Sequence, residues 1–383
     1  MGKAKGDSGT PPFTVGIEEE YLLVDRETRD VCVEPPDEML SRCEARAPGQ
    51  ITPEFLRAQI EVGTKVCNTI SEAREDLARL RRCIVKTADE YGIAPIAAST
   101  HPFANWHRQK RTNKDRYHDL DRDMQASARR LLICGMHVHV GLNDDNLRID
   151  LMNQFSYFLP HLLALSCSSP YWCGDDTGLN SYRLTVFDGM PRTRLPERFT
   201  SYGEYQRHVD TLIESGIMQD ASKIWWDVRP SARYPTLEMR ITDICTRVDD
   251  AAAIAALTTC LLSALYRYRR QNMRWRQYLP MLIQENRWRA MRYGTDEGLV
   301  DFGQTRIVQY RELLDEILEM VAEDAERLNC TEEVRSAREI LRRGNSARQQ
   351  RERYARARAE GRSHEEALRD VVDMLIEHTR LDV

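Results

Sequence analysis

The chain has 383 residues, 42% of them hydrophobic and 30% charged, and a formal net charge of −5 at neutral pH. That balance reads as a soluble globular protein, with no field of one sign to draw in nucleic acid or an anionic membrane. The length suits two or three domains or one large one.

Residues 1–12 are polar, with Gly, Lys and Pro and no apolar stretch of the kind a signal peptide carries, so they are expected to fray. Residues 13–25 are short, β-prone and bounded by Pro12 and Asp25, which predicts a strand; 58–66 predicts a second. Residues 71–91 carry Ala73, Leu77, Leu80, Ile84 and Ala88 at helical spacing, and Gly92 ends that helix. Strands are expected at 93–98, 131–142 and 234–244, and buried helices at 151–165 and 251–270. The run from Ala251 to Tyr266 is apolar but too short to span a bilayer. Beyond about residue 300, Ile307, Leu314, Ile317, Leu318, Val321 and Ala325 mark one helical face. The Arg- and Glu-rich stretch 349–362 reads as a solvated helix face, and 366–378 resumes a helical pattern. The expected organisation is a frayed 1–12, a catalytic core over 13–300, and a helical layer over 301–383 packed on that core.

Ten cysteines are scattered singly between Cys32 and Cys330 with no C-x-x-C pair, which suits reduced, mostly buried thiols in a cytoplasmic enzyme. Motifs for a P-loop, a dinucleotide fold, a zinc protease and a serine hydrolase are all missing. Any nucleotide is therefore expected on a sheet, held by metals and arginines.

Four strands share a second pattern. Side chains at i and i+2 point the same way, about 6.5–7 Å apart. Glu18 pairs in this sense with Glu20, Gln59 with Glu61, His137 with His139, and Glu238 with Arg240 and Thr242, each against an apolar opposite face. Singly, each pair also describes the wet face of an ordinary antiparallel strand. Together they predict a sheet face whose clustered carboxylates call for cations among them, with hard ions such as Mg²⁺ or Mn²⁺ the best match.

The wording of these motifs adds to their spacing. Gly16-Ile17-Glu18-Glu19-Glu20-Tyr21-Leu22-Leu23-Val24-Asp25, Gln59-Ile60-Glu61-Val62, Thr100-His101-Pro102-Phe103-Ala104 and Gly135-Met136-His137-Val138-His139-Val140-Gly141-Leu142 resemble, in order, the type-2 glutamate–cysteine ligase and carboxylate–amine ligase family. Leu179-Asn180-Ser181-Tyr182-Arg183, Trp225-Trp226-Asp227-Val228-Arg229-Pro230, Thr236-Leu237-Glu238-Met239-Arg240 and Glu285-Asn286-Arg287-Trp288-Arg289 continue the resemblance, which runs from about residue 13 to about 345. It implies an α+β fold like that of glutamine synthetase, a curved, mostly antiparallel sheet with a metal-lined polar face and helices outside. It implies Glu18, Glu20, Glu61, His137 and Glu238 as metal ligands and Arg240 at the γ-phosphate of ATP. Tyr182, Arg183, His139 and Arg292 are candidate substrate or ATP contacts; loop salt bridges, or for His139 and His101 structural hydrogen bonds, are the alternative. Gly63 and Lys65 depart from the family pattern, which leaves the amino-acid pair open.

The resulting expectation is an ATP- and Mg²⁺-dependent ligase joining glutamate and cysteine through an acyl phosphate. The alternatives are a ligase for another acid and amine, or a guanidino kinase-like phosphotransferase. Expected partners are ATP and small amino acids, with no nucleic acid, no membrane, and a homo-oligomer, a dimer.

Overall fold

A computed structural model describes residues 10–113, 117 and 122–383, so the expectation for 1–12 lies mostly outside the described residues. Its centre is an open seven-stranded sheet built from β1 (Val15–Asp25), β2 (Ile51–Pro53), β3 (Gln59–Gly63), β4 (Ile93–Ile96), β5 (Met136–Gly141), β8 (Val228–Pro230) and β9 (Thr236–Met239). Two-residue strands β6 (Tyr171–Trp172) and β7 (Asp175–Asp176) form a separate hairpin. The main order is β2-β3-β1-β5-β9-β8, every pairing is antiparallel, and β4 pairs with the distal half of β1 beyond β5.

One face is the core. Ile17, Tyr21, Val62, Val138, Val140, Leu237 and Met239 are all buried there. Helices Ile70–Asp89 and Val248–Arg270 pack on that face and on each other. The first is held at its start by Thr69, whose side chain accepts from Glu72 N. The second is long and apolar enough to cross a membrane, but nearly all of it lies inside the protein. Thr331–Arg343 packs against Val248–Arg270, and His364–Thr379 pairs with Ser346–Ala359 and covers β4. All ten cysteines are free thiols, and Cys173 is the exposed one.

Several elements end earlier than their sequence patterns. β9 stops at Met239 because the N–H groups of Arg240 and Ile241 both turn to the Asp227 carbonyl, at 2.8 and 3.1 Å. Between Thr64 and Cys67 the chain leaves β3, as Thr64 Oγ1 accepts from Ile17 N. The helix expected over 151–165 is two helices, Asp145–Phe155 and Leu159–Ser166, joined by a 3₁₀ turn at Ser156–Phe158; Pro160, which has no N–H to donate, sits in the first turn of the second. The helical face read from Ile307 is also corrected: Ile307 lies in a hairpin of Leu299–Asp301 and Arg306–Val308 and is half exposed, and the helix begins at Tyr310.

Candidate functional site

The strand register brings the polar residues face to face. Glu18 stands opposite His137 and Glu20 opposite Glu61. His139 stands opposite Glu238, which is in turn opposite Arg229. A cavity of about 350 Å³ opens over this face. Its lining includes the acids Glu18, Glu20, Glu54 and Glu61, the cations Arg183, Lys223, Arg229 and Arg240, and His137. Phe55, Phe187, Met190 and Trp225 contribute apolar wall.

Two groups of side chains each place three ligand atoms within 4.8 Å of one another: Glu18, His139 and Glu238, and Glu20, Glu54 and Glu61. In the first, His139 Nδ1 bonds Thr236 Oγ1 at 2.9 Å, while its buried Nε2 has no hydrogen-bond partner among the described residues and lies 3.4 Å from Glu18 Oε1. A buried ring nitrogen left without a partner is costly, and beside two carboxylates it is a ready cation ligand. Each group offers three ligand atoms to a divalent cation, the second oxygen only, while in the first both Glu238 oxygens also accept from arginines.

The electrostatics follow from burial and charge together. Burial opposes ionisation of Glu18, but its contacts with His137 and His139 outweigh that and hold the carboxyl well below its usual range. Glu20 is the reverse: burial, and then the Glu54 charge, push it up to about 7, despite Arg183 and a bond from Gly135 N at 2.8 Å. Burial, reinforced by Arg240, pushes His137 down to about 4, so its imidazole is neutral near pH 7. Burial would also keep Glu238 neutral, yet Arg240, His139 and Arg229 hold it far below the carboxylate range. Arg229 grips both Glu238 oxygens, at 2.8 and 3.1 Å, and Arg240 donates to Oε1. Arg240 Nη1 also lies 3.4 Å from His137 Nδ1.

Arg183 enters the cavity from the helix Arg183–Phe187 and donates to the carbonyls of Ile241 and Arg240. Gly135 makes room for it: a Cβ there would collide with the guanidinium. Behind the wall, fully buried Arg287 bonds Asp188 and Asp227 bidentately, tying together the segments that carry Phe187 and Trp225.

Of the residues singled out in the sequence, His139 and Glu238 lie behind the cavity lining, against Glu18 and Arg240, and Tyr182, Arg292 and His101 stand apart from the cavity. Tyr182 stacks against Trp172, with ring centroids 5.4 Å apart. Arg292 is exposed and donates to the Gly178 carbonyl. His101 is buried and structural: Nε2 lies 2.8 Å from the Arg29 carbonyl, and Nδ1 accepts from the backbone N–H groups of Phe103 and Ala104. Neither Gly63 nor Lys65 lines the cavity, and Lys65 is exposed. Nothing in the sequence pattern singles out Glu54. It follows β2 in Thr52-Pro53-Glu54-Phe55, with no second acid at i+2, so the period-two signal that exposed the other acids is missing.

Comparison with known proteins gives consistent matches to a family, to individual relatives and to solved structures. The family described as "Glutamate-cysteine ligase family 2(GCS2)" matches residues 14–374. A Rhodospirillum rubrum protein named "Putative glutamate--cysteine ligase 2" is 58% identical over 373 residues, covering 96% of both chains. The relative of the same name from Paracoccus denitrificans is 53% identical, covering 97% of this chain and 99% of its own. Among solved structures, glutamate–cysteine ligase from Francisella tularensis in complex with AMP superposes with a TM-score of 0.65 at 15% identity, over 96% of this chain and 89% of that one. A bifunctional glutathione synthetase from Pasteurella multocida gives 0.68 at 14% identity over 96% of this chain; the match spans only 52% of that longer protein. At such identities the two structures speak for the fold alone.

Proposed function

Because the chain belongs to glutamate–cysteine ligase family 2 and is a carboxylate–amine ligase, we propose that it uses ATP to join the γ-carboxylate of glutamate to the amino group of cysteine in the cytoplasm. The observation that carries this reading is a cavity lined by Glu18, Glu20, Glu54, Glu61, His137 and Arg240, with His139 and Glu238 just behind it. In it, Glu18, His139 and Glu238 would hold one Mg²⁺ or Mn²⁺, with His137 as a further ligand beside Glu18, and Glu20, Glu54 and Glu61 a second. Hard divalent ions of this kind screen the phosphate charge and act as Lewis acids.

The chain's own residues do the rest. Arg229 grips both Glu238 oxygens, and Arg240, which donates to one of them through Nη1, keeps its other guanidinium donors for the oxygens of the transferring phosphoryl group. A carboxylate oxygen of glutamate bonds to the γ-phosphorus as the bond to ADP breaks, giving an acyl phosphate. The amine then attacks the acyl carbon, loses a proton, and inorganic phosphate leaves. Phe55, Phe187, Met190 and Trp225 limit the access of water, which would otherwise hydrolyse the intermediate.

Isotope transfer tests the reaction class. With glutamate labelled with ¹⁸O in its carboxylate, ATP, Mg²⁺ and cysteine, one labelled oxygen per turnover should appear in inorganic phosphate, and hydroxylamine in place of cysteine should give a hydroxamate. Amide formed with unlabelled phosphate and AMP would indicate adenylation instead, and phosphate kept on its acceptor would indicate a kinase.

A further inference from the structure

We infer that Lys223 is a specificity-determining residue: its ammonium holds the unreactive carboxylate of an amino-acid substrate. The inference rests on the ligase reading above and adds the class of group recognised. Among the described residues, four cations line the cavity. Arg229 and Arg240 are already committed to Glu238, and Arg183 to the carbonyls of Ile241 and Arg240. Lys223 alone of the four has neither an ion pair within 4.0 Å nor a side-chain hydrogen bond among the described residues. Asp220, which feels the lysine charge, is occupied in capping the turn, accepting from Ser222 N at 2.7 Å.

The backbone holds Lys223 in place. It ends a 3₁₀ turn, Ala221–Lys223, and its N–H bonds the Asp220 carbonyl at 3.3 Å. Arg229 donates to the Ser222 carbonyl at 2.9 Å on one side, and Arg192 donates to the Lys223 carbonyl at 2.8 Å on the other. Arg192 also lies over the Trp225 ring, 5.4 Å from its centroid, and its carbonyl accepts from Trp225 N. With the backbone already fixed, only the side-chain rotamers of Lys223 remain to be ordered when its ammonium meets an anion. The reacting carboxylate must reach the clustered acids, where bound cations would balance the charge. A second, unreactive carboxylate has no such partner there and would be repelled by Glu18, Glu20, Glu54 and Glu61. The uncommitted lysine is where it belongs.

The test is binding, which does not depend on turnover. Calorimetric titration in Mg²⁺ and ADP compares glutamate with 4-aminobutyrate, which lacks the α-carboxylate, and cysteine with cysteamine, which lacks its carboxylate. In the unaltered protein one of the two pairs should differ by roughly 10- to 100-fold, the range of a charge-assisted hydrogen bond. Lys223→Met should abolish that difference, and Lys223→Arg should restore it. The pair that collapses identifies which substrate Lys223 holds. Discrimination that survives Lys223→Met in both pairs, or that is missing from the unaltered protein, overturns the inference. Failure of the ligase reading is separate: it would appear as no phosphate release from ATP with any amino acid, whatever the binding data.

Discussion

Arg81 reaches Glu19 through the interior, its Nη2 2.6 Å from Oε1 and its Nε 2.9 Å from Oε2, with neither side chain exposed to solvent. Tyr21 donates to the same carboxylate, and the remaining guanidinium donors go to the carbonyls of Cys245 and Thr246. The middle acid of Glu18-Glu19-Glu20 thus faces away from the cavity and bolts β1 to the helix Ile70–Asp89 and to the turn before Val248–Arg270. Removing one partner of such a pair strands a buried charge. Arg81→Met should therefore cost about 3–5 kcal/mol in urea unfolding. A loss under about 1 kcal/mol would show that water reaches Glu19.

The site was legible in the sequence where a period of two carried it. Glu18, Glu20, Glu61, His137, His139 and Glu238 lie on one face because strand side chains alternate, and that rule needs no tertiary information. Glu19 breaks the pattern of an apolar opposite face, and only the position of Arg81, 62 residues away, makes it tolerable. Glu54 sits on a loop, and its approach to Glu20 and Glu61 depends on how β2 and β3 pair. Arg292 shows the opposite failure: its neighbours in the chain match the family wording, yet its side chain turns to a carbonyl at the surface. Lys223 carries no motif, and only the cavity distinguishes it from other lysines.

Buried histidines should make the protein acid-sensitive. Burial pushes His101 and His161 down to about 4 from an ordinary 6.5. The unfolded chain therefore takes up protons that the folded chain refuses. This contribution to stability is complete above about pH 6.5 and is lost as pH falls towards 4. Urea midpoints measured from pH 7.5 to 4.5 should fall across that window. His161→Phe should flatten the fall, its ring lying among Tyr157 and Phe158. A slope unchanged in His161→Phe would assign the acid sensitivity to other groups.

Glu18→Gln and Glu238→Gln should each fold but lose ATP turnover by on the order of 10²-fold or more, since groups one shell further from a metal already cost 10–100-fold when altered. The half-saturating Mg²⁺ concentration should rise as well, which a purely structural defect would not produce. Circular dichroism checks the fold, and phosphate release across a Mg²⁺ series checks the rest. Turnover within a few-fold of the unaltered protein, with the same Mg²⁺ dependence, would remove both residues from the metal groups.

Arg240→Lys keeps the charge and changes the geometry, so it separates attraction from grip. The guanidinium presents a rigid fork that can meet two phosphoryl oxygens at once, whereas an ammonium is a point charge on a flexible stem. Arg240 is buried against Glu238 and His137, which limits the positions the replacement can take. If the fork tightens on the phosphoryl group only as it transfers, the loss belongs in kcat rather than KM for ATP, by on the order of 10²-fold. Steady-state kinetics with saturating amino acids would show it. A raised KM at constant kcat would instead mean that Arg240 binds ATP equally before and during transfer. An unchanged kcat and KM would place it outside the reacting centre, leaving it only its bond to Glu238.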